Sequence, residues 1–193
     1  MSLRGARKIF QTARSILKRD PAAHSLLQVI LTYPGVRALF WYRIAHFFAS
    51  HQRFVIAGLI SQHAAKVTGI TIAPEATIGK RVFIDHGVGT VIGATAIIED
   101  DVTILHGVTF GTRHMTDKGR RHPHVRKGAF IGANAQILGP IEIGPYSKVG
   151  AGAVVLVNVP SHLTVVGNPA TIAPHPISKV VSVSFNHQVT RSK

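Results

Sequence analysis

The chain has no cysteine among its 193 residues, and this absence narrows the chemistry open to it. A disulfide framework, a thiolate metal site and a cysteine nucleophile are excluded. No apolar run approaches the roughly 18 residues that a membrane-spanning helix needs, and no secretory signal pattern is present. These absences predict a cytoplasmic protein that does not enter a membrane.

Acidic residues are scarce, with 8 Asp and Glu against 22 Lys and Arg, so the formal net charge is +14. This excess indicates a polyanionic partner, the candidates being nucleic acid, anionic lipid or a phosphate-rich cofactor. Nucleic acid has only the charge in its favour, because no recognition-helix motif, aromatic platform or zinc spacing accompanies it. The basic residues concentrate at Arg4, Arg7, Lys8, Arg14, Lys18, Arg19, Arg113, Lys118, Arg120, Arg121, Arg126 and Lys127.

Residues 1–67 are predicted to form a small helical region of four short helices, because apolar residues recur there at spacings of three and four. Asp20 followed by Pro21 predicts the N-cap and first turn of the second helix. The Tyr33-Pro34-Gly35 stretch predicts the boundary between the second and third helices.

Residues 68–172 follow a period of six, in which an apolar residue heads each unit. The heads are Ile72, Ile78, Ile84, Ile92, Ile98, Ile104, Phe110, Val125, Ile131, Ile137, Ile143, Val149 and Val155. Four places after most heads stands a small or branched residue, as at Ala76, Val82, Val88, Ala96, Val102 and Val108. This is the hexapeptide signature of a mainly β fold, a parallel β-helix whose triangular coils each have three six-residue sides. Ordinary alternating strands have period two and would not hold this register.

Glycine often follows a head, as at Gly132, and is predicted to permit the tight corner between two sides of a coil. The register breaks between Phe110 and Val125, which predicts an extruded loop over residues 111–124. Residues 173–193 lose the period and are predicted to form an irregular tail.

Three motifs carry candidate chemistry. Asp85-His86 follows the head Ile84 at a corner, and a neutral imidazole is a natural general base near neutral pH. Arg120-Arg121-His122-Pro123 ends the extruded loop, where guanidinium groups can bind a carboxylate or phosphates. The third motif is the stretch from Asp20 to Ser25. Each motif also has a purely structural explanation. His86 can be a corner histidine bonded to the next coil, the Arg120-Arg121-His122-Pro123 stretch a solvated basic loop, and Asp20 a helix cap.

Taken together, the motifs resemble serine O-acetyltransferases over about residues 18–172. Further matching stretches are Tyr33-Pro34-Gly35, Arg43-Ile44-Ala45-His46, Thr68-Gly69-Ile70 and Gly167-Asn168-Pro169-Ala170. The resemblance implies a helical N-terminal region followed by a left-handed β-helix, assembled into homotrimers. It also implies acetylation of the L-serine hydroxyl by acetyl-CoA, the first step of cysteine synthesis.

The resemblance implies a role for each site residue. His86 is the expected general base and His122 a second imidazole beside the reacting atoms, while Asp20 and Asp85 bind the substrate ammonium and Arg121 its carboxylate. Acetyl-CoA is expected along the prism edge, against Gly111, Thr112, Ala133 and Ala151, with Lys148 near the phosphates. No metal is expected, and the site is expected to be shared between subunits.

Departures from the family pattern bear on acceptor choice and rate. The acid that orients the catalytic imidazole is replaced by Thr71, which can hydrogen-bond to a ring nitrogen but cannot stabilise imidazolium by charge. The histidine of the same motif is replaced by Ala73, and a family glutamate by Ala94. The Gly-Gly-Thr after the coil is shortened to Gly111-Thr112.

Other functions stay open from the sequence. An O-acetyltransferase acting on a sugar or another hydroxyl compound would share the fold but has no ammonium to neutralise. A metal-dependent hydratase would need His86, His106 and His122 or His124 to converge, which leaves Asp85 unexplained. An inactive scaffold that holds a partner of cysteine synthesis is a further alternative.

A cysteine synthase partner is also possible, because the family binds it through a C-terminal segment that ends in isoleucine. Here the chain ends Thr190-Arg191-Ser192-Lys193. Burying a lysine ammonium in a pocket shaped for an aliphatic group is costly. We therefore predict that the tail does not recruit the synthase in the usual way.

Overall fold

A computed structural model describes residues 3–114, 116 and 119–172. Four helices come first along the chain: α1 Leu3–Arg19, α2 Leu26–Thr32, α3 Pro34–Ser50 and α4 Phe54–Thr68. Among the described residues, no helix is long and apolar enough to cross a membrane. Residues 173–193 lie outside the described residues. Two predictions refer to them, namely that the tail is irregular and that it does not recruit the synthase in the usual way.

The start of α2 differs from the prediction. Ser25 is its N-cap, and the Ser25 hydroxyl accepts a hydrogen bond from the backbone N–H of Gln28 at 3.1 Å. The prediction that Asp20 caps this helix is therefore wrong, because Asp20 directly follows α1 and a turn separates it from α2. The predicted boundary at Tyr33 is confirmed, since Tyr33 ends α2 and Pro34 begins α3.

The rest of the described chain is a left-handed parallel β-helix, which confirms the predicted fold class. Its short strands are β1 Thr71–Ile72, β2 Thr77–Ile78, β3 Phe83–Ile84, β4 Val91–Ile92, β5 Ile97–Ile98, β6 Thr103–Ile104, β7 Thr109–Gly111, β8 His124–Val125, β9 Phe130–Ile131, β10 Gln136–Leu138, β11 Glu142–Ile143, β12 Lys148–Val149, β13 Val154–Val155, β14 Thr164–Val166 and β15 Thr171–Ile172. They form three sheets, ordered β1-β4-β7-β10-β13, β11-β8-β5-β2 and β15-β14-β12-β9-β6-β3. Every pair is parallel except β14 with β15. The extruded loop is slightly shorter than the predicted 111–124, because Gly111 belongs to β7 and His124 to β8.

All the predicted heads are buried in one continuous core, and none is more than 4% exposed. The position four places after a head is predicted to be small or branched and to point inward. This prediction is wrong for Val88, because it is 63% exposed. Thr90 is fully buried in its place, two residues before the head Ile92. The slip of two residues between Ile84 and Ile92 moves the inward position by the same amount.

The glycines that follow the heads have a different role from the predicted one. Gly132 has no left-handed backbone, but a Cβ on it would lie 2.6 Å from the backbone nitrogen of Ala151 in the next coil. The left-handed conformation falls two residues later, at Asn134 with φ of 59°. The glycine therefore permits the close approach of two coils rather than the corner itself.

The three sheets meet at three edges of the prism, and the predicted site residues are divided among these edges. The first edge joins the six-stranded to the five-stranded sheet and contains Asp85, His86, His106, Ala133 and Ala151. The second edge joins the five-stranded to the four-stranded sheet and contains Gly93, Ala94, Thr95 and the extruded loop. The third edge joins the four-stranded to the six-stranded sheet.

We predict that Gly132→Ala lowers the melting temperature, at a cost of about 1–3 kcal/mol, because the coils must separate to admit a Cβ. Gly58→Ala in the exposed part of α4 is the control. A Cβ at Gly58 meets nothing within 4 Å, and alanine favours a helix by about 1 kcal/mol. Thermal unfolding followed by circular dichroism measures both. Equal melting temperatures for the two variants would contradict the close-approach explanation.

Candidate active site

A cleft of about 300 Å³ lies where the turn after α1, the beginning of α3 and the first edge meet. Its walls are formed by Asp20, Ala22, Gln28, Thr32, Tyr33, Pro34, Asp85 and His86. Three of the predicted site residues, two carboxylates and one imidazole, are thus brought together from distant parts of the sequence.

Asp20 is held in the cleft by two hydrogen bonds. The Tyr33 hydroxyl donates to Oδ2 at 2.7 Å, and the backbone N–H of Ala22 donates to Oδ1 at 2.8 Å. The hydrogen bond from Tyr33, followed by that from Ala22, lowers the pKa of Asp20. Asp20 therefore presents an ionised carboxylate to whatever enters the cleft.

The imidazole of His86 is accessible, with 81% of its side chain exposed. Its Nε2 lies 3.8 Å from Oδ1 of Asp85, which is too long for a hydrogen bond. No hydrogen bond joins His86 to the next coil among the residues described, so the purely structural explanation finds no support. Its positive φ of 55° is not a mark of catalysis, because corner residues such as His162 share it.

His122 lies on the second edge and is 7% exposed. The backbone N–H of Thr95 donates to its Nδ1 at 3.2 Å, and a backbone N–H can only donate. The ring proton of a neutral His122 is therefore on Nε2, which makes this atom a hydrogen-bond donor. Burial, followed by the charge of Arg121, lowers the pKa of His122 and keeps the ring neutral.

Thr95 holds the end of the extruded loop, a role that the sequence did not reveal. Its Oγ1 accepts hydrogen bonds from the backbone N–H groups of Arg121 at 3.0 Å and His122 at 3.2 Å, and it lies 2.8 Å from Nδ1 of His122. Gly93 makes room beside it, since a Cβ there would overlap the His122 ring. No local pattern marks Thr95, because its partners come from a later coil.

The arginines at and just after the end of the loop differ in what their side chains contact. Arg126 pairs with Glu99 at 3.0 Å and with Glu142 at 2.9 Å, so its charge is neutralised within the prism. Arg120 donates to the backbone oxygens of Pro140 at 2.8 Å and His122 at 3.1 Å. Arg121 is partly buried, and its guanidinium makes no hydrogen bond to other described residues. Of these three, Arg121 is the one available for a ligand.

A single chain does not bring all the predicted site residues together. Asp20, Asp85 and His86 meet at the first edge, whereas Arg121 and His122 lie at the second.

The residues predicted to bind the coenzyme divide in the same way. Ala133 and Ala151 stack on the first edge, where the N–H of Gly152 donates to the oxygen of Ala133 at 2.8 Å. Gly111 ends β7 and Thr112 begins the loop of the second edge, while Lys148 is exposed on β12 of the six-stranded sheet.

The histidines proposed for a hydratase do not form a metal site. In the part of the chain that the structure describes, no group of three or more His, Asp or Glu side chains is placed to hold a metal ion. His86 and His106 lie on the first edge. His122 lies in the loop of the second edge, and His124 lies in β8 of the four-stranded sheet. The hydratase alternative therefore gains no support from the geometry.

Comparison with known proteins adds independent information. The family model for the bacterial transferase hexapeptide (six repeats) matches residues 122–156. The serine acetyltransferase of Bacillus subtilis (strain 168) is 46% identical over 174 residues, which cover 90% of this chain and 79% of that protein. The chain belongs to the serine acetyltransferase family.

Solved structures of serine acetyltransferases have the same fold. One in complex with CoA has a TM-score of 0.83 at 38% identity, covering 88% of this chain and 70% of that one. Another, in complex with cysteine, has a TM-score of 0.86 at 38% identity, covering 89% and 70%.

We predict that His122 of this serine acetyltransferase titrates below about 6.5, the ordinary pKa of histidine. Nitrogen-detected NMR, with His122→Gln for assignment, measures it, and Arg121→Gln is expected to raise the value. Because the pKa of His122 is lower in the folded chain than in the unfolded chain, the unfolded chain binds this proton first as the pH falls below about 6.5. The free energy of unfolding therefore decreases in acid, and His122→Gln removes this share of the decrease. Titration at or above the ordinary value would contradict the buried neutral ring.

Proposed function

We propose that this serine acetyltransferase binds L-serine at the first edge of one subunit and completes the site with the second edge of a neighbouring subunit. The enzyme transfers the acetyl group of acetyl-CoA to the serine hydroxyl and forms O-acetyl-L-serine for cysteine biosynthesis. One observation supports the shared site above all, namely the separation of Asp20, Asp85 and His86 from Arg121 and His122 on two edges of the same prism.

The charge of the cleft fits an amino acid better than a sugar. Asp20 and Asp85 present two carboxylates, and the accessible His86 stands beside them. The ammonium of L-serine compensates this negative charge, whereas the hydroxyl groups of a sugar do not. The cleft therefore supports L-serine over the alternative of a sugar acceptor.

His86 acts as the general base in this proposal. Its imidazole accepts the proton of the serine hydroxyl while the hydroxyl oxygen attacks the thioester carbon of acetyl-CoA. When the carbon–sulfur bond breaks, the imidazolium returns the proton to the departing thiolate, which leaves as CoA. The Asp85 carboxylate stands beside this imidazole, with its Oδ1 3.8 Å from Nε2.

The neighbouring subunit supplies the groups that face the substrate carboxylate. The guanidinium of Arg121 is suited to a bidentate contact with a carboxylate. His122 contributes the donor Nε2–H beside it, because its Nδ1 is occupied by Thr95. The two positions are fixed relative to each other, since Thr95 holds the backbone N–H groups of both.

Acetyl-CoA fits along the same contact between subunits. The small residues Ala133 and Ala151 leave space on the first edge, two and three coils beyond the His86 corner. Gly111 and Thr112 of the neighbouring second edge are expected to face them, and Lys148 offers a charge to the phosphates. The excess of Lys and Arg over the whole chain favours such an anionic co-substrate.

We predict that His86→Ala lowers turnover by roughly two to four orders of magnitude with the fold intact, the range expected for loss of a general base. Thiol release from acetyl-CoA in the presence of L-serine measures it. His162→Ala is the matched control, because His162 is also a corner histidine with positive φ but lies on the third edge. A His86→Ala enzyme that retains more than about a tenth of the wild-type turnover would remove His86 from this role.

We predict that Arg121→Ala raises the KM for L-serine far more than the KM for acetyl-CoA, because it removes a contact to the amino-acid carboxylate. Mixing this variant with His86→Ala tests the shared site. After the mixture is dissociated and reassembled, some contacts between subunits join an intact first edge to an intact second edge, so activity returns. Sedimentation is expected to give a trimeric mass. A fully active monomer would contradict the proposal.

A further inference from the structure

Tyr33 lines the cleft that contains the carboxylates of Asp20 and Asp85. It is the N-cap residue of α3, but its side chain does not cap the helix. The phenol instead donates to Oδ2 of Asp20 at 2.7 Å.

The backbone around Tyr33 is fixed to the catalytic corner. A Cβ on Gly35 would overlap the backbone oxygen of Ile84, the residue directly before Asp85. The first turn of α3 therefore rests on the backbone of the corner itself. The Tyr33 ring lies 6.5 Å from the ring of Phe83, centroid to centroid, which orients the side chain.

Among the described residues, the Asp20 carboxylate has no comparable attachment of its own to the corner. Asp20 belongs to the turn after α1, and its other hydrogen bond, from Ala22, is made within that turn. Of the two hydrogen bonds that the Asp20 carboxylate receives, the one from Tyr33 is therefore the one that relates the carboxylate to the corner bearing Asp85 and His86.

The electrostatics keep this hydrogen bond in place. Burial, the hydrogen bond to Asp20 and the charges of Asp20 and Asp85 raise the pKa of Tyr33 to about 12. The phenol consequently keeps its proton over the whole range in which a histidine base operates, so Asp20 always has its donor.

We propose that Tyr33 is a positioning residue that sets the affinity of the enzyme for the amino group of its acceptor by orienting Asp20. This inference rests on the proposed function, because it takes Asp20 as the group that binds the ammonium. Tyr33 does not contact the reacting atoms, so its effect is on acceptor binding and not on the acyl-transfer step.

The test is Tyr33→Phe, which keeps the ring against Phe83 and removes only the hydroxyl. The KM for L-serine is expected to rise roughly 10-fold, the scale of one hydrogen bond to a charged group. The kcat and the KM for acetyl-CoA are expected to stay unchanged. With 3-hydroxypropanoate, which has the hydroxyl and the carboxylate but no amino group, kcat/KM is expected to equal that of the wild type.

Tyr42→Phe is the matched control, because the Tyr42 hydroxyl is buried and donates to the backbone oxygen of Ala76, away from the cleft. It is expected to lower the melting temperature without changing the KM for L-serine. A loss of serine affinity caused only by a weaker fold would appear in this variant as well, and that result would overturn the inference.

Asp20→Asn and the double variant separate the inference from the proposed function. If Tyr33 acts through Asp20, Tyr33→Phe has no further effect once Asp20 is changed. If Asp20→Asn raises the serine KM and Tyr33→Phe does not, the inference is overturned and the proposed function stands. If Asp20→Asn has no effect, the role proposed for Asp20 falls and the inference with it. An undiminished effect of Tyr33→Phe in the Asp20→Asn enzyme would also overturn the inference.

Discussion

The six-residue register of the stacked coils is the constraint on which the other features of this protein depend. Each head packs inward, and each strand pairs with the strand one coil away, so residues that follow corresponding heads are stacked along one edge. The coils approach so closely that the residue after a head is often glycine, as Gly132 shows. A one-residue change in the register would move the site residues off their edges as well as disturb the core.

The same geometry explains why the two halves of the proposed site do not meet within one subunit. The edges of a filled triangular prism lie on opposite sides of a packed core, so side chains on two edges of one chain cannot converge. Convergence of His86 with Arg121 requires a second prism beside the first, and this is the physical reason for proposing a site shared between subunits. Thr95 prepares the second edge for that contact by fixing the loop end from which Arg121 and His122 project.

Within the cleft, the balance of charge depends on hydrogen bonds from neutral groups. Tyr33 and Ala22 keep Asp20 ionised, while Asp85 lies near His86 without a hydrogen bond to it. Asp85 and Asp20 are the two carboxylates that line the cleft together with the imidazole.

The sequence by itself determined the coil repeat, the buried heads, the position of the extruded loop and the family, because a period of six is a local pattern repeated many times. It could not show that Ser25 rather than Asp20 caps α2, since either residue type can cap a helix and the choice depends on what else each side chain contacts. It also did not reveal the roles of Tyr33 and Thr95, whose partners are distant in sequence. The tertiary structure shows the partners of Tyr33 and Thr95, and it places Arg126 in ion pairs with Glu99 and Glu142. The physical reason is that a period specifies which way a residue points, whereas its partner is set by which coils and helices come to lie side by side.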